Sequence, residues 1–145
     1  MKALIQRVKR ASVTIDDEIY SSINKGLLVF VGVEKTDEKE NAEKLADKIM
    51  RLRIFEDEDG KMNRSLLDEK GEILIVSQFT LCGDCKKGTR PSFDSSAPIE
   101  KAIELYEYFV EVSKTYGLKT QTGKFQASMD VELINDGPVT IWLEK

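Results

Sequence analysis

Two short runs of apolar residues constrain the fold of this chain more than any other feature. Residues 26–33 read GLLVFVGV, and residues 73–76 read ILIV. Runs of this length with no polar interruption are typical of buried β-strands. The second run leads directly into Ser77-Gln78-Phe79-Thr80, so these four residues are expected at the end of a buried strand.

Alternating apolar and polar residues predict further strands at both ends of the chain. A hairpin is expected around Asp16-Asp17, and the sequence DEDGK at residues 57–61 is typical of a turn. The predicted alternating strands cover residues 4–8, 12–15, 18–23, 118–122, 129–134 and 139–143.

Helical spacing of apolar residues predicts two amphipathic helices. The first is expected over residues 37–52, and the second begins near Pro98, a residue suited to a first helical turn. Their predicted buried faces are Ala42, Leu45, Ala46, Ile49 and Met50 in the first helix, and Ile99, Ala102, Ile103, Tyr106, Phe109 and Val110 in the second.

These elements predict a mixed α/β (α+β) fold with a mainly antiparallel sheet and two helices on one face. The other sheet face then lacks cover, which favours a barrel-like β core completed in a homodimer. No repeat or linker interrupts the 145 residues, so we expect residues 1–145 to form a single domain. No segment approaches the roughly 18 apolar residues of a membrane span or resembles a signal peptide, so a cytoplasmic location without membrane association is expected.

The chain contains no histidine. This excludes Ser-His-Asp and Cys-His catalysis and any zinc site that uses histidine. Cys82 and Cys85 have the C-x-x-C spacing of redox motifs, but the motif leads into a glycine- and lysine-containing loop rather than a helix. We therefore interpret both cysteines as incidental loop thiols.

Two polar segments have both structural and functional interpretations. Residues 77–80 are either a plain strand terminus or the donors of an oxyanion hole built from backbone N–H groups. Asn135-Asp136-Gly137-Pro138 is typical of a hairpin turn, and its Gly-Pro bond is one that adopts the cis form at low cost. Local pattern alone does not choose between these interpretations.

Basic residues are clustered although the net charge is −4. One cluster lies at the start of the chain, and the other lies in the loop after Thr80. Either cluster is a solvated surface or a site for phosphate groups. Their members are Lys2, Arg7, Lys9 and Arg10 in the first cluster, and Lys86, Lys87 and Arg90 in the second.

Five segments together resemble the D-aminoacyl-tRNA deacylase family. In chain order they read MKALIQRVKRASV, SQFTL, KGTRPSF, TGKFQASM and NDGPVT, and they span essentially the whole sequence. SQFTL and NDGPVT at this spacing are highly specific for the family. The chain departs from the pattern at Gln126, where many relatives carry glycine, so the pocket near Phe125 is expected to differ in shape.

The resemblance implies a homodimeric hydrolase that removes D-amino acids, or glycine, from the 3′ end of tRNA and rejects L-amino acids. It implies no metal, no organic cofactor and no DNA partner. Catalytic roles are implied for Ser77, Gln78, Phe79 and Thr80, and contact with the terminal adenosine and the aminoacyl group for Phe125 and Met129. A cis Gly137-Pro138 bond is implied in a loop that enters the partner's pocket, and Lys86, Lys87 and Arg90 are expected to bind tRNA phosphates.

Two routes for hydrolysis of the aminoacyl ester are compatible with the sequence. Backbone N–H groups at Phe79 and Thr80 stabilise the oxyanion while the tRNA 2′-hydroxyl or an ordered water acts as base, or Thr80 attacks the ester covalently. Two other functions remain open: a non-catalytic RNA-binding dimer, and an editing module that removes an L-amino acid, like those of some archaeal threonyl-tRNA synthetases.

Overall fold

The computed structural model describes residues 1–145 and contains one large curled sheet with helices packed on its outer face. The sheet strands are β1 (Lys2–Ile15), β2 (Glu18–Ile23), β3 (Gly26–Gly32), β6 (Glu72–Ser77), β7 (Thr120–Thr122) and β8 (Asp130–Glu144). A small hairpin of β4 (Phe55–Glu56) and β5 (Met62–Arg64) lies outside the sheet, and the helices are α1 (Lys39–Arg51), α2 (Leu66–Glu69) and α3 (Ile99–Lys114).

The long strand β1 organises the sheet. One of its edges pairs antiparallel with β3 in its first half and with β2 in its second half, while the other edge pairs antiparallel with β8 along nearly its full length. On the far side of β3, β6 and then β7 are added in parallel. The expected mixed, mainly antiparallel sheet is therefore confirmed, and the two buried apolar runs form β3 and β6 side by side.

The sheet curls until its ends approach each other. The Ser21 hydroxyl of β2 donates a hydrogen bond to the Thr122 carbonyl of β7 at 2.8 Å. The concave side encloses a small apolar core that includes Val13, Leu28 and Val76. This curl gives the β core its barrel-like form within a single chain, so part of the second sheet face is covered without a partner.

The convex side carries the larger core, between the sheet and helices α1 and α3. The five residues expected to form the buried face of α1 are all fully buried. The helix begins after Glu38, whose side chain and that of Asn41 form a reciprocal capping box. No helix of the structure has both the length and the apolar composition that crossing a bilayer requires.

Three local expectations were wrong. The short helix α2, which lies between α1 and α3 in the chain, was not expected, because a segment of four residues is too short to show helical periodicity. Ile99, expected on the buried face of α3, is 55% exposed, and Leu105 is buried in the core instead. The two strands expected at residues 129–134 and 139–143 form the single strand β8, because pairing with β1 continues on both sides of the Asn135-Asp136-Gly137-Pro138 segment.

Candidate functional site

The end of β6 forms a tight turn that is held against β3. Gln78 N–H donates to the Val31 carbonyl at 2.7 Å, and residues Phe79–Cys82 then form one turn of 3-10 helix. The turn packs so closely on β3 that a Cβ at Gly32 would lie 3.1 Å from the Gln78 carbonyl oxygen. Glycine at this position therefore allows residues 77–80 to lie directly over the strand.

This turn borders a cavity of about 740 Å³. The cavity is mostly apolar with a few polar groups, as is usual for sites that bind small organic groups. It brings together Ser77, Gln78 and Phe79 with Phe125 and Met129, five of the residues expected in the site. The remaining lining residues are Val31, Val33, Val76, Phe93, Ser96, Ala97, Ile99, Ala102, Tyr106, Gln126, Ala127 and Val131.

Aromatic side chains shape the walls of the cavity. The rings of Phe79 and Phe93 lie 5.0 Å apart between centroids, and those of Tyr106 and Phe125 lie 5.7 Å apart. The Tyr106 hydroxyl donates to the Ile75 carbonyl at 2.9 Å, two residues before Ser77. Burial raises the pKa of Tyr106, so its hydroxyl stays protonated and keeps this bond. Tyr106 thus connects α3 to the end of β6 through its hydrogen bond and contacts Phe125 through its ring.

The polar groups at the turn differ in whether they have a hydrogen-bond partner. Phe79 and Thr80 are the first two residues of the 3-10 turn, where backbone N–H groups have no partner within the helix. The Gln78 carboxamide donates a hydrogen bond to the Thr80 hydroxyl, and this is the hydroxyl's one partner in the chain. Thr80 itself is exposed and does not line the cavity, unlike its three predecessors.

The basic loop after this turn is held at its base and exposed along its length. Asp84 and Ser92 exchange two backbone hydrogen bonds, of 2.7 and 2.9 Å. Lys86, Lys87 and Arg90 are exposed between these two residues, and none of the three takes part in an ion pair. Three unpaired cations therefore lie on one loop that adjoins the cavity through Phe93.

The two cysteines differ in environment. Both are free; Cys85 is exposed, and Cys82 is buried with its thiol directed at the Val33 carbonyl oxygen, 3.5 Å away. Burial raises the pKa of the Cys82 thiol, with a further rise from the nearby Glu34 carboxylate. A raised pKa is the reverse of what a redox-active thiol requires. No three His, Cys, Asp or Glu side chains form a group that could hold a metal ion.

The segment around Gly137 lies apart from the cavity in the single chain. The Gly137-Pro138 peptide bond is cis, as the resemblance implied, and both residues are exposed. Gly137 borders a different cleft, beside Arg7 and Glu56, and not the cavity of Ser77 and Phe125. The structure of one chain therefore separates the two groups of expected site residues.

Hydrogen bonds fix this segment closely. Pairing between β1 and β8 passes from Val8 opposite Asn135 to Gln6 opposite Thr140, so one β1 residue, Arg7, faces residues 136–139. Val139 N–H donates to the Asn135 side chain at 2.7 Å. At Gly137, φ is +135° and a Cβ would lie 2.9 Å from Val139 and 3.0 Å from Arg7, so only glycine fits without a shift.

The sequence pattern does not reveal that Arg7 is buried against the segment around Gly137. Arg7 belongs to the basic cluster at the start of the sequence, yet it is 5% exposed and its guanidinium donates to the backbone carbonyls of Asp136 and Ile54. Both partners are remote in sequence, so no local signal marks the role. Phe93 and Tyr106 were likewise not identified as cavity residues, although Tyr106 was expected on the buried face of α3.

Comparisons with known proteins agree with this geometry. A D-aminoacyl-tRNA deacylase from Thermotoga petrophila is 58% identical over 144 residues, which cover 99% of this chain and 97% of the relative. A D-aminoacyl-tRNA deacylase from Salmonella newport is 53% identical over 144 residues, which cover 99% of each chain. The solved structure of a c-Myc DNA unwinding element binding protein is 44% identical, with a TM-score of 0.94 over 100% of this chain and 99% of that one.

A second solved structure shares the fold at low sequence identity. It is a probable eukaryotic D-amino acid tRNA deacylase, 16% identical, with a TM-score of 0.87 over 99% of this chain and 98% of that one. The family model described as D-Tyr-tRNA(Tyr) deacylase matches residues 4–144, nearly the whole sequence. The chain therefore belongs to the D-Tyr-tRNA(Tyr) deacylase family.

Proposed function

We propose that this chain is a D-aminoacyl-tRNA deacylase, which hydrolyses the ester between a D-amino acid, or glycine, and the 3′ end of tRNA. The observation that carries the proposal is the 3-10 turn after β6: Phe79 lines a largely apolar cavity, and the N–H groups of Phe79 and Thr80 have no partner within the turn. Family membership supplies the substrate class, and the turn supplies donors suited to its chemistry.

The reaction needs few catalytic groups because an aminoacyl ester is already activated. A water molecule attacks the carbonyl carbon, and the carbonyl oxygen gains negative charge, which the Phe79 and Thr80 N–H groups stabilise. One such donor contributes on the order of 10²–10³ in rate. The bond to the ribose oxygen then breaks, giving the free amino acid and the tRNA hydroxyl.

Proton transfer falls to the substrate side. The chain has no histidine to act as base. The 2′-hydroxyl of the terminal ribose, or a second water, takes the proton from the attacking water and delivers it to the leaving 3′-oxygen. We favour this route because it requires no ionisable side chain at the turn.

The covalent route through Thr80 is the weaker one. A threonine hydroxyl becomes a nucleophile only when a base removes its proton. Here the Gln78 carboxamide donates a hydrogen to the Thr80 oxygen, whereas a base would have to accept one. The covalent route would need Lys86 or Asp84 to fold back as the base. The Asp84 carboxylate instead accepts a hydrogen bond from the Lys86 backbone N–H at 2.8 Å.

We propose that chiral selection uses a rigid group that a second copy of the chain supplies to the cavity. D- and L-esters carry the same groups, and rejection by a rigid obstacle discriminates between them better than attraction does. We propose that the chain forms a homodimer in which Gly137 and Pro138 enter the partner's cavity and occupy the space of an L side chain. Support comes from the exposure of both residues and from the hydrogen bonds of Asn135 and Arg7, which keep this backbone from yielding.

Binding of the tRNA is assigned to the exposed cations Lys86, Lys87 and Arg90, which reach phosphates without reading sequence. Glycine is accepted because it has no side chain for the wall to exclude. The site of action is then the cytoplasm, where charged tRNA is found.

A parallel deacylation assay tests the proposal. Purified protein is mixed with D-Tyr-tRNA, L-Tyr-tRNA and Gly-tRNA, and release of each amino acid is followed. We expect rapid release of D-tyrosine and glycine with L-Tyr-tRNA left intact. Release of L-tyrosine at a comparable rate would identify an L-specific editing enzyme, and tRNA binding without release would identify a non-catalytic RNA-binding protein.

Sedimentation in dilute solution tests the shared site. The expected mass is twice the 16.4 kDa of one chain. A monomer that still distinguishes D- from L-Tyr-tRNA would disprove the role of a partner's Gly137. Because one relative is named for binding a DNA element, duplex DNA is included as a competitor; we expect it to inhibit only at low salt, as non-specific phosphate binding does.

A further inference from the structure

Gln126 holds a backbone conformation that side chains rarely adopt. Its φ is +60°, and it occupies the third position of a turn closed by the Ala127 N–H and the Lys124 carbonyl at 3.2 Å. Glycine is the favoured residue for a positive φ at this turn position, because it has no Cβ to clash. Gln126 occupies this position despite that preference, and it is one of four residues other than glycine with a positive φ in the chain.

The side chain lies at the rim of the cavity and has no partner. Gln126 is exposed, lines the cavity, and its carboxamide makes no hydrogen bond within the chain. The turn beneath it is fixed, since the Lys124 N–H contacts the Met129 sulfur at 3.3 Å. A free amide on a fixed turn is suited to bind a polar group of a ligand without first losing a bond of its own.

The neighbours of Gln126 indicate which ligand group it meets. Phe125 precedes it and lines the cavity, and Met129 lies on the same wall. An aromatic ring and a thioether provide a flat, polarisable surface on which a nucleobase stacks. A carboxamide at the edge of such a surface matches adenine well, because it donates to a ring nitrogen and accepts from the 6-amino group at the same time.

We propose that Gln126 is a specificity-determining residue whose carboxamide binds the 6-amino group and the adjacent ring nitrogen of the substrate's terminal adenine. The inference rests on the proposed function, which places an aminoacylated adenosine in the cavity. The ester lies at the turn of residues 77–80, and the base lies outward of it, against Phe125 and within reach of Gln126. The aminoacyl group then has the interior of the cavity, and Gln126 does not contact it.

The variant Gln126→Gly separates this role from a structural one. Replacing glutamine with glycine removes the strain that a Cβ causes at a positive φ. We therefore expect the melting temperature of the variant to stay equal to that of the parent or to rise by a few degrees. The matched control is Lys70→Gly. Lys70 also has a positive φ, of 49°, but it ends α2 and does not line the cavity. Both variants should gain or keep stability, and only Gln126→Gly should change substrate selection.

The readout is the preference for the terminal base. Each protein is given D-Tyr-tRNA ending in adenosine and D-Tyr-tRNA ending in purine riboside, which lacks the 6-amino group. The parent and Lys70→Gly should prefer adenosine on the order of tenfold in kcat/KM, through KM rather than kcat. Gln126→Gly should cleave both substrates equally, at the parent's rate for purine riboside. Gln126→Glu, which cannot donate to the ring nitrogen, should also lose most of the preference.

A binding measurement keeps the inference testable if deacylation itself is absent. The probe is D-tyrosine linked by an amide to 3′-amino-3′-deoxyadenosine, compared with the same compound built on purine riboside. The Kd ratio of the two compounds should be about tenfold for the parent and about one for Gln126→Gly. A parent that binds the probe but does not hydrolyse D-Tyr-tRNA would overturn the proposed function alone. An unchanged base preference in Gln126→Gly, or no preference in the parent, would overturn the role of Gln126 alone.

Discussion

The Arg7 Nε donates a hydrogen bond of 2.9 Å to the backbone carbonyl of Asp136, which immediately precedes Gly137. The same guanidinium donates to the Ile54 carbonyl at 2.6 Å, and a carboxylate oxygen of Asp136 lies 3.6 Å from Nε. One buried side chain on β1 thus positions the exposed backbone segment that we assign to chiral selection. The arrangement depends on the planar fork of arginine, which donates in several directions at fixed angles.

Replacing Arg7 with lysine should therefore damage both stability and selectivity. A lysine cannot serve both carbonyls in this geometry, and a buried carbonyl left unpaired costs roughly 1–3 kcal/mol. We expect the free energy of unfolding, measured by urea denaturation, to fall by about 2 kcal/mol. We also expect the ratio of the D-Tyr-tRNA to the L-Tyr-tRNA deacylation rate to decrease. The control is Arg10→Lys on the same strand, where the pair with Glu132 is exposed and the change should stay within about 0.5 kcal/mol. Equal effects at both positions would contradict the anchoring role.

Loss of the Thr80 hydroxyl should matter less than loss of the tRNA 2′-hydroxyl. Thr80→Ala keeps the backbone N–H that stabilises the oxyanion, and we expect kcat/KM to fall by less than about tenfold, since only a side-chain hydrogen bond with Gln78 is removed. Replacing the terminal 2′-hydroxyl by hydrogen removes the proposed base, and we expect a loss of about 10²–10⁴, the usual contribution of general acid–base catalysis. Single-turnover kinetics measure both. The reverse order, or an acyl-Thr80 adduct detected by mass spectrometry, would establish the covalent route.

The basic loop should contribute affinity that depends on salt. Removing one phosphate contact lowers the slope of log affinity against log salt concentration by about 0.7–0.9. We expect such a change for Lys86→Ala, Lys87→Ala and Arg90→Ala, measured as the KM for D-Tyr-tRNA between 50 and 200 mM salt, with kcat unchanged. Lys48→Ala on α1 serves as control, because Lys48 is also exposed but lies away from the cavity. A slope that is unchanged in all three loop variants would show that tRNA approaches by another surface.

The two thiols should react differently and should both be dispensable. Cys85 is exposed and should react with a thiol reagent in the native protein, whereas Cys82 should react only after unfolding, because burial hides it and raises the pKa of its thiol. The variant with serine at both positions should deacylate D-Tyr-tRNA within a few-fold of the parent. Large loss of activity by a folded double variant would mean that the C-x-x-C spacing has a function after all.

Much of this fold could be predicted from sequence because its main signals are local. Apolar spacing in α1 identified a face that is fully buried, and the runs that form β3 and β6 marked the central strands. The continuity of β8 could not be predicted, because Asn135 to Pro138 is typical of a turn. Pairing with β1, more than 100 residues away in sequence, overrides that local preference.

The candidate site also contains residues that could be predicted from sequence and residues that could not. Ser77, Gln78 and Phe79 line one cavity with Phe125, and their catalytic and binding roles stay predictions that the resemblance implies. Arg7 could not be identified, because the partners that bury a charged residue lie in other parts of the chain. The role of Gly137 could not be derived from a single chain. Its position in one chain is defined, but its proposed contact requires a second subunit.

Gly137→Ala tests the proposed chiral wall most directly. A Cβ at this position would lie 2.9 Å from Val139 and 3.0 Å from Arg7 in a backbone with φ of +135°, so the segment must move to accept it. A displacement of about 1 Å at a positioning element can change a rate by about 10²-fold. We therefore expect D-Tyr-tRNA deacylation to fall by about that factor and the ratio of D to L rates to narrow. The control is Gly117→Ala, where φ is +76° but no atom lies within 4 Å of the added Cβ, so this variant has backbone strain of about 1–2 kcal/mol without a steric clash. If Gly137→Ala retains full D selectivity at the parent's rate while both variants lose similar stability, then the segment is structural and the wall against L side chains lies elsewhere.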